Sequence, residues 1–291
     1  MKDLQNRVAV VTGGASGIGK AMARAFVGEG MKVVISDVEE GALAATAEEL
    51  GETVTGVVTD VSRPEAVEAL AETVFETHGA CHLLCNNAGV SVGSVNIWET
   101  TANDWKWVHG VNVMGVVHGI QSFVPRMLAT GEEGLVLNTS SGDGGISPLA
   151  AQSVYASSKA AVSILTECLG AQLEAREGSK LRAAIFYPSG GMLATGLWTT
   201  ARNRPEELAR EREYPPGAQP TFEEFSQGAK EAGFELPVQD LDELAQHLIG
   251  GIRSDDFVIM IGREMMMEAQ LTERAKKLAT GQCPIGAGLL G

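Results

Sequence analysis

The apolar positions of this chain fall into short β-branched runs separated by longer stretches with helical spacing. "RVAVVTG" from Arg7, "KVVISD" from Lys32, "VTGVVTD", "HLLCNNAG", "GLVLNTSS", "KLRAAIFYPSGG" and "DFVIMIG" predict seven strands. Between Gly17 and Phe26 the residues Ile18, Met22, Ala25 and Phe26 recur on one helical face. "EEGALAATAEEL", "PEAVEALAETVFETHG", "SVYASSKAAVSILTECLGAQLEA", "DLDELAQHLIGGI" and "EMMMEAQLTERAKKLA" predict further helices. "NDWKWVHGVNVMGVVHGIQSFVPRML" reads as one long helix opened by a polar cap near Asn103 or Asp104. The strands are apolar on both faces, as parallel strands covered by helices are. Their alternation with helices implies right-handed crossovers and a doubly wound α/β sheet of Rossmann type.

The pattern lapses after Gly191. "RNRPEELAREREYPPGAQPTFEEFSQGAKEAGFELP" is charged and broken by Pro and Gly. Because apolar periodicity returns afterwards, the segment reads as an insertion of short helices rather than a linker. A length of 291 residues then fits a single domain over 1–291. A C-terminal helix and Gly-rich tail occupy 263–291, and the tail "GQCPIGAGLLG" is too short for a core of its own.

Composition removes several functions. Hydrophobic residues at 44% and charged residues at 20% exclude a disordered chain. No apolar run approaches the roughly 20 residues of a membrane span, and the N-terminus reads as a first strand rather than a leader. A net charge of −15 opposes nucleic-acid binding. Cys81, Cys85, Cys168 and Cys283 lack metal-ligand spacing, and the histidines do not cluster near them. Idle thiols, no metal and a cytoplasmic location are expected.

Candidate chemistry begins where the first strand meets the first helix, at "VVTGGASGIGKAMARAF". Gly13, Gly14, Gly17 and Gly19 let the backbone approach a ligand, and a helix start offers free N–H groups to a pyrophosphate. The loop residues Gly13, Ser16, Gly17, Ile18 and Gly19 are therefore candidates for cofactor binding. Asp37 ends the second strand, 18 residues after Gly19. A carboxylate there accepts hydrogen bonds from ribose hydroxyls and repels a 2′-phosphate. Val38, Glu39 and Glu40 follow it with no cation, which points to NAD rather than NADP.

Five motifs occur in order: "TGGASGIG" from Thr12, "NNAG" from Asn86, Asn112 in "GVNVMG", Ser141 in "NTSS", and "YASSK" from Tyr155 to Lys159. Together they resemble the short-chain dehydrogenase/reductase family from about Arg7 to Gly191. The resemblance implies a single Rossmann domain of about seven strands, a homodimer or homotetramer, and hydride transfer between a nicotinamide and a secondary alcohol or ketone. It further implies that Asp60 meets the adenine amino group and Val61 the adenine through its backbone. By the same resemblance, Asn86 and Asn87, beside Gly89, would steady the central strand and line the adenosine side.

Taken alone, a Tyr-x-x-x-Lys pair is an ordinary solvated helix face, Ser141 a turn residue and Asn112 a buried polar group. Their joint occurrence reverses that reading. A free phenol titrates near about 10, and a neighbouring ammonium lowers it. Residues four apart share a helix face. Tyr155 is thus expected to be the general acid/base, with Lys159 lowering its pKa and holding the nicotinamide ribose. The resemblance further implies that Ser141, in preference to Ser140, hydrogen-bonds the substrate oxygen and that Asn112 positions a water beside the lysine.

The resemblance thins after the sixth strand. Pro188 fits, but Ser189 stands where the family usually has glycine; Met192 and Thr195 remain candidates for the carboxamide side. The segment 193–237 is expected to be a substrate lid. Its Leu197, Trp198, Tyr214, Phe222, Phe225 and Phe234 would give it an apolar inner face suited to a bulky aromatic, terpenoid or steroid-like alcohol. Two other readings stay open: an epimerase, dehydratase or dehalogenase on the same fold, or a nucleotide-binding protein without turnover.

Overall fold

A computed structural model of the chain describes residues 1–263 and 267–285. Seven strands form one parallel sheet: β1 (Val8–Thr12), β2 (Lys32–Asp37), β3 (Val54–Val58), β4 (Leu83–Asn86), β5 (Gly134–Thr139), β6 (Leu181–Phe186) and β7 (Val258–Ile259). Their spatial order is β3-β2-β1-β4-β5-β6-β7. The chain builds outward from β1 to β3, then crosses back to start β4 on the other side of β1. That reversal opens a crevice at the carboxyl ends of β1 and β4, where ligands bind in such sheets.

Alternate strand residues feed two cores, because side chains along a strand point to opposite faces. Ala9, Val11, Leu83, Cys85, Leu135 and Leu137 pack with α1 (Gly17–Gly28) and α8 (Leu241–Arg253), through Met22, Phe26, Leu244 and Leu248. Val8, Val10, Leu84 and Val136 face the other way. They pack with α3 (Pro64–His78), α5 (Gly115–Thr130) and α6 (Ser153–Ala175), through Leu70, Val74, Phe123, Met127 and Leu169. This double coverage is why the strands read as continuous apolar runs. α2 (Glu40–Leu50) bridges β2 and β3.

Three expectations need correction. The long helix is α4 (Ala102–His109) and α5 joined by one π turn, Gly110–Met114. Its cap is Thr101, whose N–H donates to the Asp104 carboxylate at 2.8 Å; the Thr-x-x-Asp spacing is a capping-box signature. The last strand keeps only Val258 and Ile259 in the ladder. Beyond it the Ile261 N–H turns to the Ser189 hydroxyl at 3.0 Å, and Gly262 enters the left-handed region at φ 70. The final helix, α9, runs Glu268–Ala279. The start of its expected range at 264–266 and the tail over 286–291 lie outside the described residues.

The segment between β6 and α8 holds two 3-10 turns, Gly196–Asn203 and Glu206–Leu208, and α7 (Phe222–Glu231). A buried charge cluster pins it to the domain. Asp104 accepts from Arg204 at 2.7 Å and from Arg210 at 3.1 Å. Arg204 lies over the Trp107 ring at 5.1 Å and Arg210 over Tyr214 at 3.8 Å. Burial alone would raise the Asp104 carboxyl, but donors from Arg204, Thr101 and Arg210 hold it below its usual range. Removing one member of a buried ion cluster strands the others and costs about 3–5 kcal/mol. Asp104→Asn is therefore expected to lower unfolding stability by that amount in urea titrations; a loss below about 1 kcal/mol would show that the cluster does not hold the segment.

Candidate active site

The glycine loop is shaped by contacts that leave no room for side chains. Gly13 and Gly17 take φ of 66 and 53, both left-handed. A Cβ on Gly19 would lie 2.0 Å from the Gly13 carbonyl. Asn87 braces the loop from β4, donating to the carbonyls of Thr12 at 3.0 Å and Gly13 at 3.4 Å. The first turn of α1 has no side-chain cap from Ser16, so its N–H groups face the crevice uncapped. A loop this close to backbone, ending in an uncapped helix start, fits a pyrophosphate. Ile18 sits partly buried against the core beneath.

Asp37 stands at the carboxyl end of β2, where the Ala15 N–H donates to one of its oxygens and the Glu39 N–H to the other. Each oxygen keeps a further lone pair for a ribose hydroxyl. Glu39, absent from the sequence reading as a functional residue, accepts from Arg202 at 2.6 Å and from Asn203 at 2.7 Å. The Arg202 donor pulls the Glu39 carboxyl below its usual range. The inserted segment is thus tied to the adenosine side as well as to α4. No local signal announces a pairing across this many residues.

Asp60 Oδ1 accepts from the backbone and hydroxyl of Ser62, while Oδ2 lies 3.4 Å from Arg63 Nε. The Val61 carbonyl is engaged by His118 at 2.9 Å. Met192 pairs as a short ribbon with Val238, its N–H donating to Pro237 and its carbonyl accepting from Gln239. Thr195 caps the following turn, and its side chain lies 3.2 Å from where a Gly17 Cβ would be. Pro188 follows β6 after Tyr187 and is half-buried.

Lys159, Tyr155, Ser141 and Gly89 meet at the ends of β4 and β5. Lys159 Nζ donates to the Thr139 carbonyl at 2.8 Å and lies 5.8 Å from the Tyr155 ring centroid. A Cβ on Gly89 would sit 3.4 Å from that Nζ and 3.5 Å from Asn112 Oδ1. Ser140 is buried and consumed, donating to the Lys159 carbonyl at 2.8 Å. Ser141 accepts from the Asp143 N–H at 3.2 Å, and its hydroxyl favours the ionised form of the Tyr155 phenol.

The electrostatics differ from the expected ones. Burial pushes the Tyr155 phenol up to about 12; the Ser141 hydroxyl opposes this and the Asp143 charge adds to it. Burial also brings the Lys159 ammonium down to about 8, and its hydrogen bond goes to Thr139. Asn112 is buried and held by its own hydrogen bonds. Its side chain clamps Val90, accepting from the N–H at 2.8 Å and donating to the carbonyl at 3.0 Å, and donates to Ser158 at 2.9 Å. Both N–H donors of the amide are used, while Oδ1 keeps a second lone pair on the Gly89 side. The π turn that carries it re-aims this side chain, a common use of π bulges at functional sites.

Trp198 packs against Phe222 and Phe225, with ring centroids 5.7 and 5.0 Å apart. Tyr214 joins Val92 and Trp107 instead. Phe234 is 66% exposed and contributes to no inner face. Among the described residues no group of three or more metal-binding side chains converges, and no helix is long and apolar enough to cross a membrane.

Known proteins match this architecture. The chain is 38% identical over 212 residues to "C alpha-dehydrogenase" of Sphingobium sp. (strain NBRC 103272 / SYK-6), covering 65% of this chain and 68% of that one. It is 40% identical over 168 residues to "Probable oxidoreductase EphD" of Mycobacterium tuberculosis (strain ATCC 25618 / H37Rv), covering 57% of this chain but spanning only 28% of that longer protein. A crystal structure of a short chain dehydrogenase/reductase from Burkholderia phymatum in complex with NAD superposes with a TM-score of 0.87 at 35% identity, covering 100% of both chains. The family model for short chain dehydrogenases spans residues 7–205, and on that match the chain belongs to the short-chain dehydrogenase/reductase family of oxidoreductases.

Proposed function

We propose that the protein is an NAD-dependent dehydrogenase or reductase that interconverts a secondary alcohol and its ketone. The observation that carries this reading is the convergence of Tyr155, Ser141 and Lys159 at the mouth of the glycine-lined crevice. When bound, the nicotinamide ring supplies the hydride acceptor or donor. Tyr155, a neutral phenol through the neutral range, gives its proton to a ketone oxygen in reduction and takes it back in oxidation. Ser141 orients that oxygen and stabilises charge on it. Lys159 holds a positive end at the Gly89–Thr139 edge, where a ribose hydroxyl would be received.

Preference for NAD over NADP rests on Asp37 and on the pairing of the nearby cations. Arg202 is bound to Glu39, Lys20 to Glu49, and Arg24 to Glu49 and Asp242. The NAD held by the Burkholderia phymatum structure supports the same choice. The name of the Sphingobium relative supports oxidation of an alcohol carbon. We assign 193–237 the role of a substrate lid; the Trp198–Phe222–Phe225 cluster supports an apolar, bulky substrate. Free Cys81, Cys85, Cys168 and Cys283 support a reducing compartment such as the cytoplasm. Exposed Met114 and Ile164, on the helices that carry Asn112 and Tyr155, support a homo-oligomer built on that face. The complete Ser–Tyr–Lys set favours hydride transfer over epimerisation or dehydration.

Tyr155→Phe is expected to lower turnover by about 100-fold or more, the scale of a lost general acid/base. NADH binding, followed by fluorescence, should stay within about twofold. Retained turnover would refute the assignment, and cofactor binding by the wild type without turnover of any alcohol or ketone would favour the binding-protein reading. Asp37→Ala is expected to raise the NADP-to-NAD affinity ratio by about tenfold, the worth of one charge-assisted hydrogen bond. An unchanged ratio in parallel titrations would place cofactor choice elsewhere.

A further inference from the structure

One carboxylate at this site has no part in the proton or cofactor chemistry. Asp143 lies in the 3-10 turn Gly142–Gly144, two residues past Ser141, and its N–H donates to the Ser141 hydroxyl at 3.2 Å. The turn lies flush against α6, since a Cβ on Gly144 would be 2.3 Å from Lys159 Cβ. Asp143 is therefore held beside the first turns of that helix, and its charge acts on the Tyr155 phenol. The Leu149 N–H donates to Asp143 Oδ1. Among the described residues no cation pairs with this carboxylate, and Oδ2 receives no hydrogen bond. Burial lifts its carboxyl to about 6, so it is largely ionised at neutral pH yet short of partners.

A half-buried carboxylate is costly without donors, and interior polar groups without partners are few. No donor of the described residues reaches Oδ2, and the atom is not sealed from solvent, so it is open to a donor on a bound ligand. It would arrive beside the oxygen that Ser141 and Tyr155 receive. We propose that Asp143 is a substrate subsite that accepts a hydrogen bond from an O–H or N–H donor carried on the carbon next to the reacting alcohol. Preferred substrates are then vicinal diols or amino alcohols, and substrates with a carboxylate at that carbon are repelled. The proposal rests on the dehydrogenase reading above and adds the substrate class to it.

The test compares four alcohols that share a reacting benzylic carbon: 1-phenylethanol, 1-phenyl-1,2-ethanediol, 2-amino-1-phenylethanol and mandelate. With NAD, kcat/KM of the wild type for the diol or the amino alcohol is expected to exceed that for 1-phenylethanol by at least about tenfold, with mandelate lowest. The higher of the two names the donor. Asp143→Ala should bring the diol and amino alcohol to within about twofold of 1-phenylethanol. Asp143→Asn, which keeps the shape and an acceptor oxygen, should lose the amino-alcohol preference because the amide carries no charge. NADH fluorescence titration of each variant reports that it is folded and holds cofactor. Turnover of 1-phenylethanol with no preference for the donors, or a preference that survives both substitutions, overturns the subsite and leaves the dehydrogenase reading standing. NADH binding without turnover of any of the four, or of other alcohols and ketones, overturns both.

Discussion

The site depends on the contact between the end of β5 and the first turns of α6. Gly144 has no room for a side chain, since its added Cβ would meet both Lys159 Cβ and the Lys159 carbonyl carbon, at 2.3 and 2.5 Å. Ser140 ties the same strand end to the Lys159 carbonyl, and Lys159 Nζ reaches back to Thr139. Three contacts thus lock one strand end to one helix turn. Ser141 follows from the first, and Tyr155 and Lys159 from the second. A loosely packed turn would leave the same residues present but out of reach of one another.

That packing also sets the electrostatics. Helix spacing alone predicts a phenol acidified by its lysine. In the folded protein both groups are dehydrated, and burial acts against both charged forms: the phenol rises and the ammonium falls. The outcome is a neutral phenol beside a weakened ammonium, poised as a proton donor in the free protein. The inserted segment is tied to the domain at two places, through Arg202 to Glu39 and through Arg204 and Arg210 to Asp104.

Much of the fold was legible because its signals are local or periodic. Alternating apolar strands and helices, with strands apolar on both faces, predicted a doubly wound sheet, and the sheet has seven parallel strands. The glycines were legible because the strand-to-helix turn demands them. What escaped depends on tertiary burial or distant pairing. The shifts at Tyr155 and Lys159 follow from depth, which spacing does not encode. The clamp of Asn112 on Val90 follows from a π turn that looks like ordinary helix in sequence. The Asp104 cluster joins residues about a hundred positions apart, and in sequence Asp104 reads only as a candidate helix cap. Asp143, between glycines, reads as turn chemistry until the turn is placed against the helix.

The most direct test of this construction is a titration of the Tyr155 ring by NMR in protein carrying 13C-labelled tyrosine. With only three tyrosines in the chain, assignment by substitution is simple. Burial against α6 and the β5 turn predicts a ring signal that stays unmoved through pH 10 and titrates at about 12. A transition near about 10, the value of a solvated phenol, would contradict the buried site on which the account stands.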